Sequence, residues 1–391
     1  MKTPLALRVA GIVLVAVLST HVLAFDGPVD KKVFALPTYT TVAGRTIPGV
    51  RVGYETYGSL NAAGDNAIFI AHFFSGTSHA AGKYKPGDVA PGYWDAIIGS
   101  GKPIDTDKYF VVSADCLVNV NTKDPNVTTT GPATIDPETG KPYGMHFPVV
   151  SYRDSVRVHK ALLDSLGVKK LHAVAGASGG SLQAMEWASL YPDFVERVVH
   201  VIGPGFEITP YALELVDAWT LPIRLDPRWN KGDYYGKEEP LDGVAQALTL
   251  VTFTTRHFGW AEKTFGYKWA DPARDPAASM DNKYAITDAL DKGGAARARS
   301  ADANSIMYTA RANQLYHLTD DEVKRIKARI LFMPARSDLV FPPWLAERAA
   351  ARYRAQGGVA EVVVIEGEGG HLDGLLNIAP QGDAIRTLLA R

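Results

Sequence analysis

Residues 171–190, LHAVAGASGGSLQAMEWASL, combine a short apolar strand pattern, a glycine-rich turn and a helix pattern. Two interpretations of the turn compete. The turn could hold a pyrophosphate at the N-terminus of the following helix, through Gly176, Gly179 and Gly180. Alternatively, Ser178 could stand on a sharp turn within Gly-x-Ser-x-Gly and attack a carbonyl group. The surrounding residues decide between these two interpretations.

A dinucleotide-binding turn makes two demands that this chain does not meet. It needs a third glycine, where the chain has Leu182, and an acidic residue after the next strand, where it has Gly203-Pro204. The nucleophile interpretation needs a strand that runs straight into the turn and a helix that begins at once. Both are present, so the sequence favours a nucleophilic serine at position 178.

The bulk composition describes an ordinary globular protein without a charged partner. Of its 391 residues, 46% are hydrophobic and 21% are charged, and the formal net charge is -1. No basic field is available to bind nucleic acid or an anionic membrane surface. The single cysteine, Cys116, excludes a disulfide within the chain and is expected to be a buried structural thiol.

Residues 1–24 have the pattern of a secretory signal peptide. Lys2 and Arg8 precede an apolar run at 9–18, and Val22 and Ala24 offer small side chains before a cleavage site. The apolar run is short for a membrane span, so no stable membrane association is expected. The pattern predicts cleavage after Ala24 and a secreted or periplasmic mature protein.

Short apolar runs alternate with helix patterns along most of the chain, which predicts an α/β fold with a mostly parallel central sheet covered by helices. Strands are predicted at 66–73, 109–114, 171–177, 195–203, 328–335 and 360–367, and helices at 152–166, 179–190 and 379–390. Residues 205–325 lack such strands and are rich in aromatic residues. We predict a core made of 25–204 and 326–391, with 205–325 inserted as a helical lid over a pocket.

Two further side chains follow late strands, in the order that a Ser–Asp–His triad requires in such folds. Asp338 comes after the strand at 328–335, and His371 comes after the strand at 360–367. His371 would accept the proton of Ser178, and Asp338 would orient the imidazole. Asp373 is the rival acid, but its closeness to His371 in sequence makes it a poorer orienting group.

An oxyanion hole is expected from two backbone N–H groups. One belongs to Gly179, and the other belongs to Phe74, or to Phe73, in the loop after an early strand. His72 and His79 lie in the same loop but lack carboxylate or cysteine partners at ligand spacing. The sequence therefore predicts neither a metal site nor a cofactor.

Several segments resemble the homoserine O-acetyltransferase family of α/β-hydrolase-fold enzymes. They include YETYGSLNAAGDNAIFIAHFFSGTSHAAG (54–82), TGPATIDPETGKPYGMHFPVVSYRDSVRVHKALLDSLG (130–167), DPRWNKGDYYG (226–236) and RSDLVFPP (336–343). The resemblance runs from about Val52 to the C-terminus. It implies the same triad, a helical lid that forms a tunnel and, often, a homodimer through the lid helices.

Two positions depart from the family pattern. Leu248 stands where family members that act on homoserine have an arginine, and Leu372 stands where an aspartate follows the catalytic histidine. In the family these charges hold the amino-acid substrate, and charge-assisted bonds of this kind contribute about 1.5–3 kcal/mol each. With Phe73, these leucines predict an apolar substrate pocket that accepts homoserine poorly.

The leading hypothesis from sequence is therefore a secreted serine hydrolase that cleaves a small-molecule carboxylic ester through an acyl-enzyme on Ser178. Acetyl-coenzyme A is a cytoplasmic metabolite, so a secreted enzyme would need another acyl donor, and water is its most available acceptor. The alternative is an O-acyltransferase that moves an acyl group to an alcohol. A third hypothesis is a non-catalytic binding protein that has kept the fold.

Overall fold

The structure is a computed structural model that describes residues 28–391. The predicted signal peptide at 1–24 lies outside the described residues. An eight-stranded sheet has the order β1-β2-β6-β3-β7-β8-β9-β10. Its strands are β1 (Lys32–Thr40), β2 (Thr46–Tyr57), β3 (Ala67–Ala71), β6 (Phe110–Ala114), β7 (Leu171–Ala177), β8 (Arg197–Val201), β9 (Arg329–Met333) and β10 (Ala360–Val362), while β4 (Ile98–Gly99) and β5 (Ile104–Asp105) form a separate two-stranded sheet.

Most neighbouring strands of the large sheet are parallel, as the sequence predicts. The strands from β6 to β10 along the sheet order pair in parallel, whereas β1 pairs antiparallel with β2, and β2 pairs antiparallel with β6. The alternation of apolar runs and helices did not indicate the hairpin of β1 and β2. Its first strand is partly exposed and mixes polar with apolar residues, so it lacks the apolar run of a buried strand.

Helices cover both faces of the sheet, which explains why β3 and β6 are buried along their whole length. One face packs against α1, α2 and α9, and the other packs against α11 and the segment around Trp94. The bounds of these helices are α1 (Tyr152–Ser165), α2 (Gly179–Leu190), α9 (Pro343–Ala355) and α11 (Gly382–Ala390), with the short α10 (Asp373–Leu376) before the last.

The predicted elements of the core agree closely with the structure where the pattern is continuous. The strand at 171–177 and the helix at 179–190 have the predicted bounds, and α1 begins at the predicted residue, with a capping box between Ser151 and Asp154. The strand predicted at 360–367 is shorter, because regular pairing ends at Val362 and continues only as an isolated bridge at Ile365.

Six α-helices and one short 3-10 helix (Pro227–Gly232) lie between β8 and β9. The α-helices are α3 (Pro210–Leu225), α4 (Leu241–Thr254), α5 (Phe258–Thr264), α6 (Ala285–Ala298), α7 (Ala303–Gln314) and α8 (Asp320–Arg325). Helices α3, α4, α6 and α7 share an apolar cluster that includes Trp219 and Ile306. The last of the six, α8, packs on the core instead, where Glu322 pairs with Arg153 and Val323 joins the main cluster. Among residues 28–391, no helix has the length and apolar character that a bilayer span requires.

Candidate active site

Ser178 stands on a strained turn between β7 and α2. Its φ of 55° and ψ of -120° are unusual for a residue with a side chain. A Cβ atom on Gly176 would collide with the carbonyl group of Gly180, and a Cβ atom on Gly180 would collide with the carbonyl oxygen of Ala71. Because only glycine fits at both places, Gly-x-Ser-x-Gly is a steric requirement of this turn.

A hydrogen-bonded chain joins the three side chains that the sequence analysis singled out. Nε2 of His371 lies 2.8 Å from Oγ of Ser178, and Nδ1 lies 2.7 Å from Oδ2 of Asp338. Both His371 and Asp338 are buried. The N–H groups of Val340 and Phe341 donate to Oδ1 of Asp338, which fixes the carboxylate. This arrangement places a proton on Nδ1 and leaves Nε2 free to accept the serine proton.

The rival acid, Asp373, has a different position. Its Oδ2 accepts a hydrogen bond from the N–H of Gly369 at 2.9 Å, and Oγ of Ser337 lies 3.5 Å away. Ser337 in turn accepts from the N–H of Gly370, directly before His371. Burial raises the pKa of Asp373. Asp373 therefore braces the loop that carries the histidine, and Asp338 is the acid that contacts the ring.

Two backbone N–H groups near Ser178 have no acceptor among the described residues. They belong to Phe74, in the loop after β3, and to Gly179, at the first position of α2. A Cβ atom on Gly179 would lie 3.3 Å from the nitrogen of Phe74, so the two groups are close neighbours. Free N–H groups beside a nucleophile, one of them at a helix N-terminus, can stabilise a developing oxyanion.

A cavity of about 300 Å³ opens onto Ser178 and His371. Its other walls are formed by Phe73, Phe74, Ser75, Trp219, Val251, Thr252, Thr255, Arg297, Leu372, Leu375 and Leu376. Helices α3, α4 and α6 supply Trp219, Val251 and Arg297, so residues between β8 and β9 line the cavity beside the nucleophile. The size suits a small organic substrate, and the walls are largely apolar.

The structure places two of the three predicted pocket residues on the cavity wall, namely Phe73 and Leu372. Leu248 is not on this wall. Its side chain is buried in the apolar cluster that α3, α4, α6 and α7 share, and its carbonyl oxygen accepts a hydrogen bond from Arg297. The expectation that Leu248 lines the pocket is therefore corrected, because α4 turns this position towards its neighbouring helices.

Sequence reasoning missed Arg297, which introduces a positive charge into a pocket expected to be apolar. Arg297 lies 49 residues after Leu248, on α6. Only the packing of α6 against α4 brings it to the cavity, and the local sequence contains no signal for that. Comparison with the family pattern at position 248 does not indicate Arg297, because Arg297 lies on a different helix.

The other polar groups of the early loop have structural partners. Nδ1 of His72 lies 2.9 Å from the carbonyl oxygen of Phe73, while Nε2 accepts from the N–H of Cys116. Burial lowers the pKa of His72 and raises the pKa of Cys116 to about 12, so neither group carries a charge near neutral pH. His79 contacts Glu55. Within 28–391, no group of three or more His, Cys, Asp or Glu residues is arranged to hold a metal ion.

Comparison with known proteins agrees with this architecture. Residues 99–377 match a family model described as the alpha/beta hydrolase fold, so the chain is an α/β-hydrolase. A homoserine O-acetyltransferase of Deferribacter desulfuricans is 37% identical over 355 residues, which cover 89% of this chain and 92% of the relative. The chain belongs to the homoserine O-acetyltransferase family.

Solved structures with the same fold include proteins named as esterases and proteins named as homoserine O-acetyltransferases. Esterase E22 is 45% identical, with a TM-score of 0.88, and the match covers 92% of this chain and 100% of the esterase. Homoserine O-acetyltransferase from Bacillus anthracis is 36% identical, also with a TM-score of 0.88, over 93% of this chain and 98% of that enzyme. The chain is thus an α/β-hydrolase-family enzyme, and the curated relatives favour acyl transfer over the ester hydrolysis that the sequence analysis placed first.

Proposed function

We propose that this enzyme transfers an acyl group through a covalent intermediate on Ser178. The observation that carries the proposal is the hydrogen-bonded chain from Ser178 through His371 to Asp338, which opens onto a small cavity. In this proposal Ser178 is the nucleophile, His371 is the general base and then the general acid, and Asp338 orients the ring and stabilises its charged form.

The reaction proceeds in two halves. Oγ of Ser178 attacks the carbonyl carbon of the donor as its proton passes to Nε2 of His371, and the N–H groups of Phe74 and Gly179 bind the resulting oxyanion. His371 then gives this proton to the leaving group, and an acyl-enzyme remains. In the second half an acceptor O–H attacks the acyl-enzyme, loses its proton to His371 and leaves with the acyl group. Ser178 recovers its proton.

An alcohol is the acceptor that the curated relatives support, since the relative from Deferribacter desulfuricans is named a homoserine O-acetyltransferase. The enzyme is then an O-acyltransferase. Homoserine itself is a poor candidate for the alcohol. Its ammonium group needs a carboxylate partner, and no Asp or Glu residue is among the described residues of the cavity wall.

Hydrolysis is the second candidate, and two observations favour it. Leu372, next to His371, gives the cavity an apolar wall at a position where the family resemblance implies an aspartate. Esterase E22 is also more similar in sequence to this chain, at 45% identity, than the acetyltransferase from Bacillus anthracis, at 36%. Water would then take the place of the alcohol, with the same triad and the same acyl-enzyme.

Partitioning of the acyl-enzyme separates the two candidates. The enzyme is given 4-nitrophenyl acetate with and without an alcohol, such as 4-hydroxybutanoate or homoserine, and nitrophenolate, acetate and acetylated alcohol are quantified. Transfer predicts an acetylated alcohol that grows at the expense of acetate. Acetate that equals nitrophenolate with every acceptor would contradict transfer and establish hydrolysis.

Three further properties belong to the same proposal. The segment 205–325 acts as a lid over the core made of 25–204 and 326–391, two chains associate through the lid, and residues 1–24 direct the chain to the periplasm or the exterior before removal. The lid proposal draws support from Trp219, Val251 and Arg297, which line the same cavity as Ser178. The mass of the mature protein from its native host tests cleavage after Ala24.

A further inference from the structure

Arg297 presents a guanidinium group to the cavity that holds Ser178 and His371. Its Nη1 donates to Oγ1 of Thr252 at 2.7 Å and to the carbonyl oxygen of Leu248 at 3.3 Å. Its Nη2 donates to Oγ of Ser75 at 2.9 Å. All three acceptors are neutral, so these bonds hold the fork of the side chain in place without neutralising its charge.

No carboxylate of the described chain pairs with Arg297. The ion pairs formed by residues 28–391 leave it out, whereas Arg153 contacts both Glu186 and Glu322. Burial lowers the pKa of Arg297, and no nearby anion counteracts this effect. An arginine remains cationic in proteins, and a cation withdrawn from water without a counter-ion is unfavourable. Arg297 is half-buried and has no counter-ion among the described residues, so an anion bound in this cavity would supply one.

The positive charge of Arg297 and the lack of a carboxylate on the described cavity wall determine which substrates fit the cavity. Ser75 and Thr252 place hydroxyl groups beside the guanidinium, and the remaining walls are mostly apolar. Because the described wall has no carboxylate, a substrate with a negative group is favoured there and one with an ammonium group is not. The planar fork of an arginine suits a carboxylate, which it can bind through two N–H groups.

We propose that Arg297 is the binding site for a carboxylate carried by the substrate, so that the preferred esters have an acyl or alcohol portion ending in a carboxylate. This proposal rests on the proposed function of Ser178 and names the substrate class of the same cavity. Arg297 is a specificity residue here, since it holds the far end of the ester while Ser178 attacks its carbonyl carbon.

Matched pairs of esters test the proposal and locate the carboxylate. The alcohol-side pair is the acetate ester of 4-hydroxybutanoate and 4-methylpentyl acetate, and the acyl-side pair is monoethyl glutarate and ethyl 5-methylhexanoate. Each pair differs in charge at nearly constant shape. Proton release at constant pH gives kcat/KM for the full chain, for Arg297→Met and for a control, Arg299→Met. Arg299 is exposed and directly follows the same helix.

The proposal expects the natural chain to prefer the acid of one pair by about 10- to 100-fold in kcat/KM, the range of a charge-assisted bond. Arg297→Met should abolish this preference through KM, so that kcat/KM falls at least about tenfold more for the acidic ester than for its neutral partner, while Arg299→Met keeps the preference. An equal loss for acidic and neutral esters would overturn the proposal, because Arg297 would then only hold Ser75 and the adjoining Phe74. Equal rates for both esters in the natural chain would overturn it too.

A binding measurement separates this proposal from the proposed function. Calorimetry with glutarate and with 4-hydroxybutanoate is carried out on Ser178→Ala, which cannot form an acyl-enzyme, and on the double variant with Arg297→Met. Binding that depends on Arg297 supports the carboxylate site even if no ester is turned over. Turnover through Ser178, without charge preference and without such binding, overturns the site and leaves the proposed function intact.

Discussion

Ser178 and His371 are 193 positions apart, and His371 and Asp338 are 33 positions apart, yet each of the three follows the end of a parallel strand. Parallel strands deliver such residues to one edge of the sheet, and so chain order alone predicted the contacts. Arg297 does not follow a strand, so this rule does not predict its position. Its place depends on how α6 packs against α4, which neither periodicity nor spacing specifies. The same packing turned Leu248 away from the cavity.

Amide substitutions test which of the two aspartates near His371 is the acid of the triad. Asp338→Asn should reduce kcat on an activated ester by several orders of magnitude, on the order of 10⁴-fold, because the amide no longer selects the tautomer that leaves Nε2 free. Asp373→Asn should keep the contact between Asp338 and His371 and retain most of the activity. Steady-state kinetics on both variants measures this. A larger loss for Asp373→Asn would assign the role to the rival acid.

At the scale of elements, continuous patterns predicted well and mixed patterns did not. The strand β7, the turn and α2 follow each other without a break, and local sequence determined their bounds. The hairpin of β1 and β2 was missed, since it lies at the edge of the sheet with many exposed positions. The insertion was predicted to be helical from its lack of strands, but its internal contacts were beyond such reasoning.

Two neighbouring glycines in α6 test the packing of α6 against α4. A Cβ atom on Gly294 would collide with the carbonyl oxygen of Ala245 and with Thr249 on α4, whereas a Cβ atom on Gly293 would meet nothing within 4 Å. Gly294→Ala should lower the free energy of unfolding by about 1–3 kcal/mol. Gly293→Ala should raise it by about 0.5–1 kcal/mol, through better helix propensity. Urea denaturation compares the two, and equal effects would argue against this close approach of α4 and α6.

At the scale of the whole molecule, stability is coupled to pH through buried imidazoles. Burial lowers the pKa of His159 to about 4 and the pKa of His200 to about 3, from an ordinary value of 6.5. At pH values between the lowered pKa of each imidazole and 6.5, the unfolded chain binds more protons than the folded chain. The free energy of unfolding therefore falls as the pH decreases below 6.5. Each unit of pKa difference corresponds to about 1.4 kcal/mol.

Replacement of His200 should make this acid sensitivity weaker. The ring packs against Phe332, so His200→Leu keeps an apolar contact while it removes the titrating group. We expect a smaller decrease of the urea midpoint between pH 6.5 and pH 4 than in the natural chain. His317→Leu changes an exposed histidine and should leave the decrease as it is. An unaltered decrease in His200→Leu would show that His200 does not contribute.

The proposed catalysis requires one covalent bond, between Oγ of Ser178 and an acyl group. The direct measurement is mass spectrometry of the intact protein, quenched rapidly after 4-nitrophenyl acetate is added, followed by peptide mapping. We expect one added acetyl group per chain, located on Ser178. The group should be absent from Ser178→Ala and present in Ser59→Ala, which changes an exposed serine. An acetyl group on another residue during turnover, or turnover that persists in Ser178→Ala, would contradict the proposed catalysis.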